Sequence, residues 1–281
     1  MSTPVSLKES FRADYEVSNF SVVERLNSGS QEGELGLVFS PFAKKYILTR
    51  YDIQRPAIFF IDGSCSYYTR NAGQLIDFLE KLVRGKGLKR VIAIGSSKGA
   101  TGAILHAAML SQRIPGIRFD VYSFSAQVSL WPYNSRIRLP SYEQLIQCVR
   151  TDPALENDLV NFGNLSTAVR NSNDFKVLMT YGQHNRRDKE EAEYLKADSE
   201  GDKVVLNPLP IRNHTTIVPY VLDCNDKNSL RSALLSTLER NPEESDIMDL
   251  KKKDKLEREV DALYGIRDMK LNLLNLISRQ L

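Results

Sequence analysis

Residues 95–99, Gly-Ser-Ser-Lys-Gly, follow an apolar run and precede a helical pattern. They match the spacing Gly-x-Ser-x-Gly, in which a sharp strand-to-helix turn presents a serine hydroxyl as a nucleophile. Glycines flank Ser97 because such a turn brings its neighbours too close for side chains. The serine would also lie at a helix N-terminus, where amide protons and the helix dipole favour negative charge. The pattern therefore predicts nucleophilic catalysis by Ser97.

Phosphate binding is a competing interpretation of the same glycines. A P-loop requires its lysine after the second glycine and then Ser or Thr, whereas Lys98 precedes Gly99 and Ala100 follows it. The three-glycine dinucleotide pattern also differs, since Gly95, Gly99 and Gly102 do not have its spacing. Phosphate binding is thus disfavoured, and a purely structural turn is the other alternative.

A serine nucleophile requires a histidine base, which in this arrangement follows the acid along the chain. The chain has three histidines. His214 follows the last predicted strand and precedes a new helical pattern, so we predict it as the base. His184 precedes both the expected acid and that strand, and His106 falls inside the helix after the turn.

The acid is expected after the preceding strand. Asp188 opens a helix there and is our predicted acid, and Glu190 and Glu191 are alternatives. A carboxylate in the first turn of a helix is also favourable in its own right, so a structural role is the competing explanation.

A developing oxyanion requires hydrogen-bond donors. The backbone amide of Lys98, directly after the nucleophile, is one expected donor. The second is expected in the loop after the strand at 57–62, from Gly63, Ser64 or Cys65. Cys65 is also an alternative nucleophile, although it lacks the sharp turn.

The elements that must position these residues alternate along the chain. Helical patterns at 71–85 and 100–113 lie between short apolar runs, which favours a mostly parallel sheet with helices on both faces. The predicted strands are Leu35–Phe39, Ala57–Asp62, Arg90–Ile94, Arg118–Phe124, Phe175–Tyr181 and Lys203–Leu206.

Two departures from this alternation suggest the domain organisation. We predict a catalytic domain over 1–224 with a cap insertion at about 130–174, and a charged helical extension over 225–281. The extension would dock on the domain, form a dimer contact, or attach to a membrane surface or partner complex. Its apolar stripe is Leu256, Val260, Leu263, Leu274, Ile277 and Leu281.

Composition limits the classes of function. The 38 basic and 35 acidic residues give a net charge of only +3, so no nucleic-acid partner is expected. Cys65, Cys148 and Cys224 are too widely spaced for a zinc site and odd in number, so neither disulfides nor a metal is expected. No apolar leader or spanning run is visible, which favours a cytoplasmic protein, with peripheral association at the inner membrane face as the alternative.

With these motifs, the sequence resembles proteins of the α/β-hydrolase fold. It is more narrowly similar to bacterial O-acetyltransferases of surface glycans, which include capsular polysaccharide enzymes and the acetyltransferase component of accessory secretion systems. The similarity extends from about residue 35 to 222. The segments that carry it are IDGS at 61–64, IGSSKGATG at 94–102, SFSAQ at 123–127 and NHTTI at 213–217.

The resemblance implies a Ser97, Asp188 and His214 triad, an acetyl-serine intermediate, acetyl-CoA as donor and a glycan hydroxyl as acceptor. Gln127 would contact ligand at the carboxyl edge of the sheet. Basic residues predicted near the site would suit CoA phosphates or an anionic glycan: Arg70, Lys98, Arg186, Arg187 and Arg212.

Two other functions remain open from the sequence. A carboxylesterase or thioesterase would need an apolar acyl pocket around 130–139, where Trp131 and Tyr133 offer some support. A non-catalytic scaffold acting through the C-terminal helix is the second, and an intact triad argues against it.

Overall fold

A computed structural model describes residues 19–25, 33–49, 51–64, 66–199, 201–240, 253–279 and 281. This part of the chain forms a seven-stranded sheet with the order β1-β3-β2-β4-β5-β6-β7. The strands are β1 (Phe20–Arg25), β2 (Glu34–Phe39), β3 (Ala57–Asp62), β4 (Arg90–Ser96), β5 (Arg118–Phe124), β6 (Phe175–Gly182) and β7 (Val204–Leu209). Neighbouring strands from β3 to β7 are parallel, which confirms the predicted sheet type.

Strand β1, which was not predicted from the sequence, pairs antiparallel with β3 at the edge of the sheet. Its residues Phe20 and Val23 are buried, but their spacing of three departs from the alternation that marks a strand with one buried face. The other strands match their predictions to within three residues at each end. β7 extends through Pro208 to Leu209. Pro208 has no backbone N–H to donate, and this is tolerated because β7 is the opposite edge strand.

Helices cover both faces of the sheet, as predicted. They are α1 (Ala72–Arg84), α2 (Lys98–Arg113), α3 (Pro140–Val149), α4 (Pro153–Phe162), α5 (Leu165–Arg170), α6 (Arg186–Asp198), α7 (Val218–Val221), α8 (Lys227–Arg240), α9 (Lys253–Gly265) and α10 (Leu273–Ser278), with a short 3-10 turn at Arg267–Met269. Alternate β4 residues divide the core: Val91 and Ala93 pack with α1, α2, α5 and α6, whereas Ile92 and Ile94 pack with the elements from α7 to α10.

The C-terminal helices belong to this second core layer. Most of the predicted apolar stripe of α9 and α10 is buried there. Leu274 is only partly buried, and its neighbour Leu273 is buried in the core instead. The Tyr122 hydroxyl lies 3.2 Å from the carbonyl of Ile277 and 3.1 Å from that of Arg279, which ties the segment after α9 to β5. Packing of these helices against the sheet therefore accounts for the apolar stripe. The predicted domain boundary at residue 225 stays a prediction.

The insertion between β5 and β6 contains α3, α4 and α5. Tyr142, Leu145, Leu155 and Leu159 from α3 and α4 form a separate apolar cluster with Tyr67 from the loop after β3. The α5 residues join the main core instead. The insertion thus contains a small two-helix layer with its own apolar core, packed against the loop after β3. Its role as a cap stays a prediction.

Within the described residues, no helix is both long enough and apolar enough to cross a membrane.

Candidate active site

Ser97 lies in a strained turn between β4 and α2. Its backbone has φ 51° and ψ −123°, a conformation that residues other than glycine rarely adopt. Its amide donates to the carbonyl of Phe124 at 2.8 Å, and its carbonyl accepts from the Ala100 amide at 2.8 Å. The end of β5 and the first turn of α2 therefore hold the strained residue from both sides.

Close backbone approach explains the glycines around this turn. A Cβ atom at position 95 would lie 2.1 Å from the Gly99 carbonyl oxygen. A Cβ at position 99 would lie 2.2 Å from the Phe39 carbonyl oxygen, at the end of β2. Both distances are far below van der Waals contact, so the turn requires glycine at 95 and 99 for the steric reason inferred from the sequence.

The structure brings Ser97, His214 and Asp188 into one hydrogen-bonded row. His214 Nε2 lies 2.8 Å from Ser97 Oγ. On the other side of the ring, His214 Nδ1 lies 2.9 Å and 3.0 Å from the two carboxylate oxygens of Asp188. A proton on Nδ1 donated to the carboxylate leaves Nε2 free to accept from the serine hydroxyl. The three residues follow β4, β7 and β6, at the carboxyl end of the sheet.

These side chains differ in exposure. Ser97 is 9% exposed and Asp188 5%, while the His214 side chain is 25% exposed. Burial of the carboxylate with the histidine open on one side resembles the arrangement in which a histidine acts as the base for a serine nucleophile. The imidazole is therefore partly open to solvent, and the serine hydroxyl lies directly beside it.

Asn185 positions the acid, and it was not among the residues predicted from the sequence. It caps α6, accepting from the Asp188 amide at 3.4 Å and donating from Nδ2 to Asp188 Oδ2 at 3.0 Å. The spacing Asn-x-x-Asp before a helical pattern is the signal that would have found it, since reciprocal capping needs a polar residue three positions ahead.

The alternative acids lie on the same helix but contact other groups. Glu190 pairs with Arg186 at 2.6 Å. Glu191 is buried, and its carboxylate accepts from the Val128 and Ser129 amides at 2.9 Å and 3.1 Å. Of the three candidates, Asp188 is the one that the structure brings to His214.

The loop that carries His214 has contacts on two sides. Thr216 Oγ1 lies 2.9 Å from Ser125 Oγ, and this pair joins the loop to the end of β5. Thr215 donates its hydroxyl to Glu259 of α9. Neither Thr215 nor Glu259 was singled out from the sequence as a candidate site residue.

The expected oxyanion donors after β3 are engaged elsewhere. The Gly63 amide donates to the Asn19 carbonyl at 2.8 Å, and the Ser64 amide donates to Asp62 Oδ1 at 3.0 Å. The structure therefore does not support the prediction of Gly63 or Ser64 as oxyanion donors. Cys65 lies outside the described residues, and the Lys98 amide, the first of α2, remains a prediction.

Asp62 organises this loop. Its carboxylate accepts from the hydroxyl groups of Ser64 and Ser66 at 2.6 Å and 3.0 Å, and from the Tyr68 amide at 3.0 Å. Gathering several donors around one carboxylate fixes the turn, as in other aspartate-centred turns. The Ser64 amide, which was expected to bind an oxyanion, thus contributes to the shape of the loop.

The predicted ligand residues Gln127 and Trp131 lie in different surroundings. Gln127 is buried and donates to the Ser125 carbonyl at 2.8 Å, and its Oε1 has no hydrogen-bond partner among the described residues. Trp131 is half-buried and packs on the cap cluster. Tyr133, by contrast, is 61% exposed and stacks on Tyr142.

The five predicted basic residues also separate by environment. Arg70 pairs with Asp152 of the cap at 2.8 Å, Arg186 pairs with Glu190, and the Lys98 side chain is buried. Arg187 and Arg212 are exposed. Arg187 directly precedes Asp188, and Arg212 lies two residues before His214, so these two are the cations that flank the site along the chain.

The other two histidines lie apart from this row. His184 is exposed. His106 is fully buried in α2 among Phe39, Tyr68 and Phe20, and burial lowers its pKa to about 4. Among the described residues, no group of three or more His, Cys, Asp or Glu side chains could hold a metal ion.

Comparisons with known proteins show the fold. No protein-family model and no curated protein sequence matches the chain. A solved structure of the capsule O-acetyltransferase of Neisseria meningitidis serogroup A, a histidine-to-alanine mutant in complex with CoA, is similar at 13% identity and TM-score 0.51, over 74% of this chain and 92% of that one. The Glycosylation Associate Protein complex from Streptococcus agalactiae is similar at 12% identity and TM-score 0.50, over 83% of this chain and 45% of that one.

These similarities, together with the parallel sheet, show that the chain has the α/β-hydrolase fold. An esterase from Thermogutta terrifontis with bound butyrate is similar at 13% identity and TM-score 0.46, over 72% of this chain and 83% of that one. At 13% and 12% identity the first two structures establish the architecture alone, and function must be argued from the site.

Proposed function

We propose that this protein is a serine-dependent acyltransferase that works through an acyl-Ser97 intermediate. The observation that carries the proposal is the continuous hydrogen-bonded row from Ser97 Oγ through the His214 ring to Asp188. Nucleophile, base and orienting carboxylate stand at hydrogen-bonding distance in the order that acyl transfer requires. The strained turn at Ser97 supports the same role, because strain of this kind is retained where it serves function.

In the first step His214 Nε2 takes the hydroxyl proton while Ser97 Oγ attacks the carbonyl carbon of the acyl donor. Asp188 accepts from Nδ1 and stabilises the imidazolium. Collapse of the tetrahedral intermediate breaks the bond to the leaving group, which receives the proton from His214. The acceptor hydroxyl then attacks the acyl-serine, with His214 as base, and free Ser97 is restored.

The oxyanion formed in each step needs donors. We assign one to the Lys98 amide, since Lys98 is the first residue of α2 and lies next to Ser97. The positive end of the α2 dipole points to the same place and favours the developing charge. The Asp62-organised loop approaches from β3, and its amides at Gly63 and Ser64 are not included, since both have other acceptors.

For the substrates, we propose acetyl-CoA as donor and a hydroxyl of a bacterial surface glycan as acceptor. The support for the donor is the shared fold with a capsule O-acetyltransferase that was solved with CoA. Arg187 and Arg212, exposed beside the triad along the chain, would bind CoA phosphates or an anionic glycan. The exposed Tyr133 ring suits stacking on a sugar better than it suits an enclosed acyl pocket, which favours a glycan acceptor over a simple ester substrate.

The test is acetylation of the protein itself. Full-length protein is incubated with radiolabelled acetyl-CoA and no acceptor, and both protein-bound label and free CoA are followed. Ser97→Ala and His214→Ala are compared with Ser96→Ala, a matched control at the neighbouring buried serine. We expect alkali-labile label at Ser97 in the wild type and Ser96→Ala, none in Ser97→Ala or His214→Ala, and chase of the label by glycan.

Other outcomes distinguish the alternatives. CoA release that needs Ser97 but does not respond to glycans would identify a thioesterase. Hydrolysis of p-nitrophenyl acetate without any reaction with acetyl-CoA would identify an esterase. Full activity of Ser97→Ala in cells, with no labelling of the wild type, would leave a scaffold and refute the catalytic proposal.

A further inference from the structure

Two adjacent threonines hold the His214 loop from opposite sides. Thr216 bonds to Ser125 at the end of β5, and its hydroxyl also lies 3.3 Å from the Thr180 carbonyl of β6. Thr215 donates instead to Glu259, which lies on α9 on the second face of the sheet. The sheet therefore anchors one side of the loop, and the C-terminal helix anchors the other.

Glu259 is an unusual residue for this place. It is 7% exposed, and burial raises its pKa to about 6, while the Thr215 hydroxyl and the charge of His214 lower it. A buried carboxylate is costly unless it is hydrogen-bonded. A buried glutamate next to the His214 loop therefore indicates a function that an apolar residue could not perform.

The helix that carries Glu259 is firmly placed. Its residues Leu256, Val260 and Leu263 lie in the core layer that includes Ile92 and Tyr122 of the sheet. A carboxylate on such a helix is a fixed point, because movement of α9 would disrupt this packing. The hydrogen bond to Glu259 thus links Thr215, and with it the adjacent His214, to a helix that is packed in the core.

We propose that Glu259 is a positioning residue for acyl transfer, which orients His214 through Thr215 and presents a second negative charge to the imidazolium. This inference rests on the proposed function of Ser97 and His214. It makes α9 part of the catalytic unit, although α9 contributes no residue to the triad.

The experiment measures the rate at which full-length protein reacts at Ser97 with a fluorescent fluorophosphonate, since this reaction requires a correctly placed histidine. The variants are Glu259→Gln, Thr215→Val and Thr215→Ser. The matched control is Glu257→Gln, which removes the same charge from the same helix, where Glu257 pairs with Arg231 at 2.8 Å. The low-field proton resonance of His214 Nδ1 is recorded for each variant by NMR.

We expect Glu259→Gln and Thr215→Val to slow the reaction about tenfold, within the loss that a small misplacement of a reacting group produces. Both variants should shift or broaden the His214 resonance. Thr215→Ser keeps the hydroxyl and should therefore react at close to the wild-type rate. Glu257→Gln should also react at the wild-type rate. The double variant should be slower than either single variant but by less than the product of their two effects, because both changes weaken the Thr215–Glu259 interaction, whereas only Glu259→Gln removes the charge.

Wild-type rates and an unchanged His214 resonance in Glu259→Gln and Thr215→Val would overturn the inference and leave the proposed function standing. A slower reaction with lowered unfolding temperature but an unchanged resonance would also overturn it, since the role would then be structural. Absence of any Ser97 reaction in the wild type would instead refute the proposed function.

Discussion

Asp188 and Glu191 lie one turn apart on α6, and their buried carboxylates face different parts of the molecule. Asp188 accepts from His214, whereas Glu191 accepts from the amides of Val128 and Ser129 and from Asn134 Nδ2 at 3.0 Å. One helix thus supplies a partner for His214 and an anchor for the loop that leads from β5 into the α3–α4 insertion.

The two roles predict different consequences of neutralising each acid. Asp188→Asn should lower the rate of Ser97 acylation by about 10³ to 10⁴-fold, because an amide favours the wrong histidine tautomer. Acylation rates measured with acetyl-CoA or an activated ester check this, with Glu190→Gln as the control on the same helix. An equal loss in Glu190→Gln would show that the acid is misassigned.

Glu191→Gln should mainly affect stability. The new amide would place an NH₂ group either against Asn134 Nδ2 or against the Val128 and Ser129 amides, and we expect the unfolding free energy to fall by about 2 kcal/mol. Urea unfolding at neutral pH measures the change, with Glu190→Gln again as the exposed-pair control. Equal stability of Glu191→Gln and the wild type would contradict the anchoring role.

The strained backbone of Ser97 predicts that glycine at this position gives a more stable protein than alanine does. Ser97→Gly should be more stable than Ser97→Ala by about 1 to 2 kcal/mol, because glycine adopts this conformation without a Cβ clash. Both variants should lack acyl transfer. Urea unfolding of the two variants side by side tests the strain, and equal stabilities would show that the turn stores none.

Gly99 and Gly73 offer a matched pair for the steric argument. Gly99→Ala would drive a methyl group into the Phe39 carbonyl and should cost more than about 4 kcal/mol, or prevent folding. A methyl group at Gly73, in α1, would meet no atom within 4 Å, so Gly73→Ala should be neutral or stabilising by about 0.5 kcal/mol. Thermal unfolding of both variants decides the point, and a well-folded Gly99→Ala protein would refute it.

His106 predicts a loss of stability in acid. Burial lowers its pKa from 6.5 to about 4, so between these values the unfolded chain binds the proton and the folded chain does not. Stability from this residue is present above pH 6.5 and falls as the pH drops towards 4, by about 3 kcal/mol in all. The raised pKa of Glu259 acts in the opposite direction, since its protonation below about pH 6 favours the folded state.

The contribution of His106 is therefore measured as a difference between two proteins in how much unfolding free energy each loses on acidification. Urea unfolding of His106→Phe and the wild type at pH 7 and pH 4.5 cancels the contribution of Glu259 and other groups. The wild type should lose more stability than His106→Phe between these pH values. Parallel losses would show that His106 does not remain neutral in the folded protein.

Local patterns in the sequence were sufficient to predict the sheet and the three residues of the hydrogen-bonded row, because each follows a recognisable strand. The strand β1 was missed since an edge strand needs only partial burial, and its pattern is correspondingly weak. Glu259 could not be predicted, because its relation to His214 depends on how α9 packs across the sheet rather than on any local spacing. The amides of Gly63 and Ser64 were misassigned because the Asn19 carbonyl and the Asp62 side chain compete for them, which spacing alone does not reveal.

The loop after β3 is fastened to the cap at three points: Tyr67 to Ser141 at 2.7 Å, Arg70 to Asp152 at 2.8 Å, and the Asn71 amide to Asp158 at 3.0 Å. Any outward swing of α3 and α4 therefore pulls on the loop that begins at Asp62. The loop after β3 and the α3–α4 layer are thus mechanically linked, so a displacement of one is transmitted to the other.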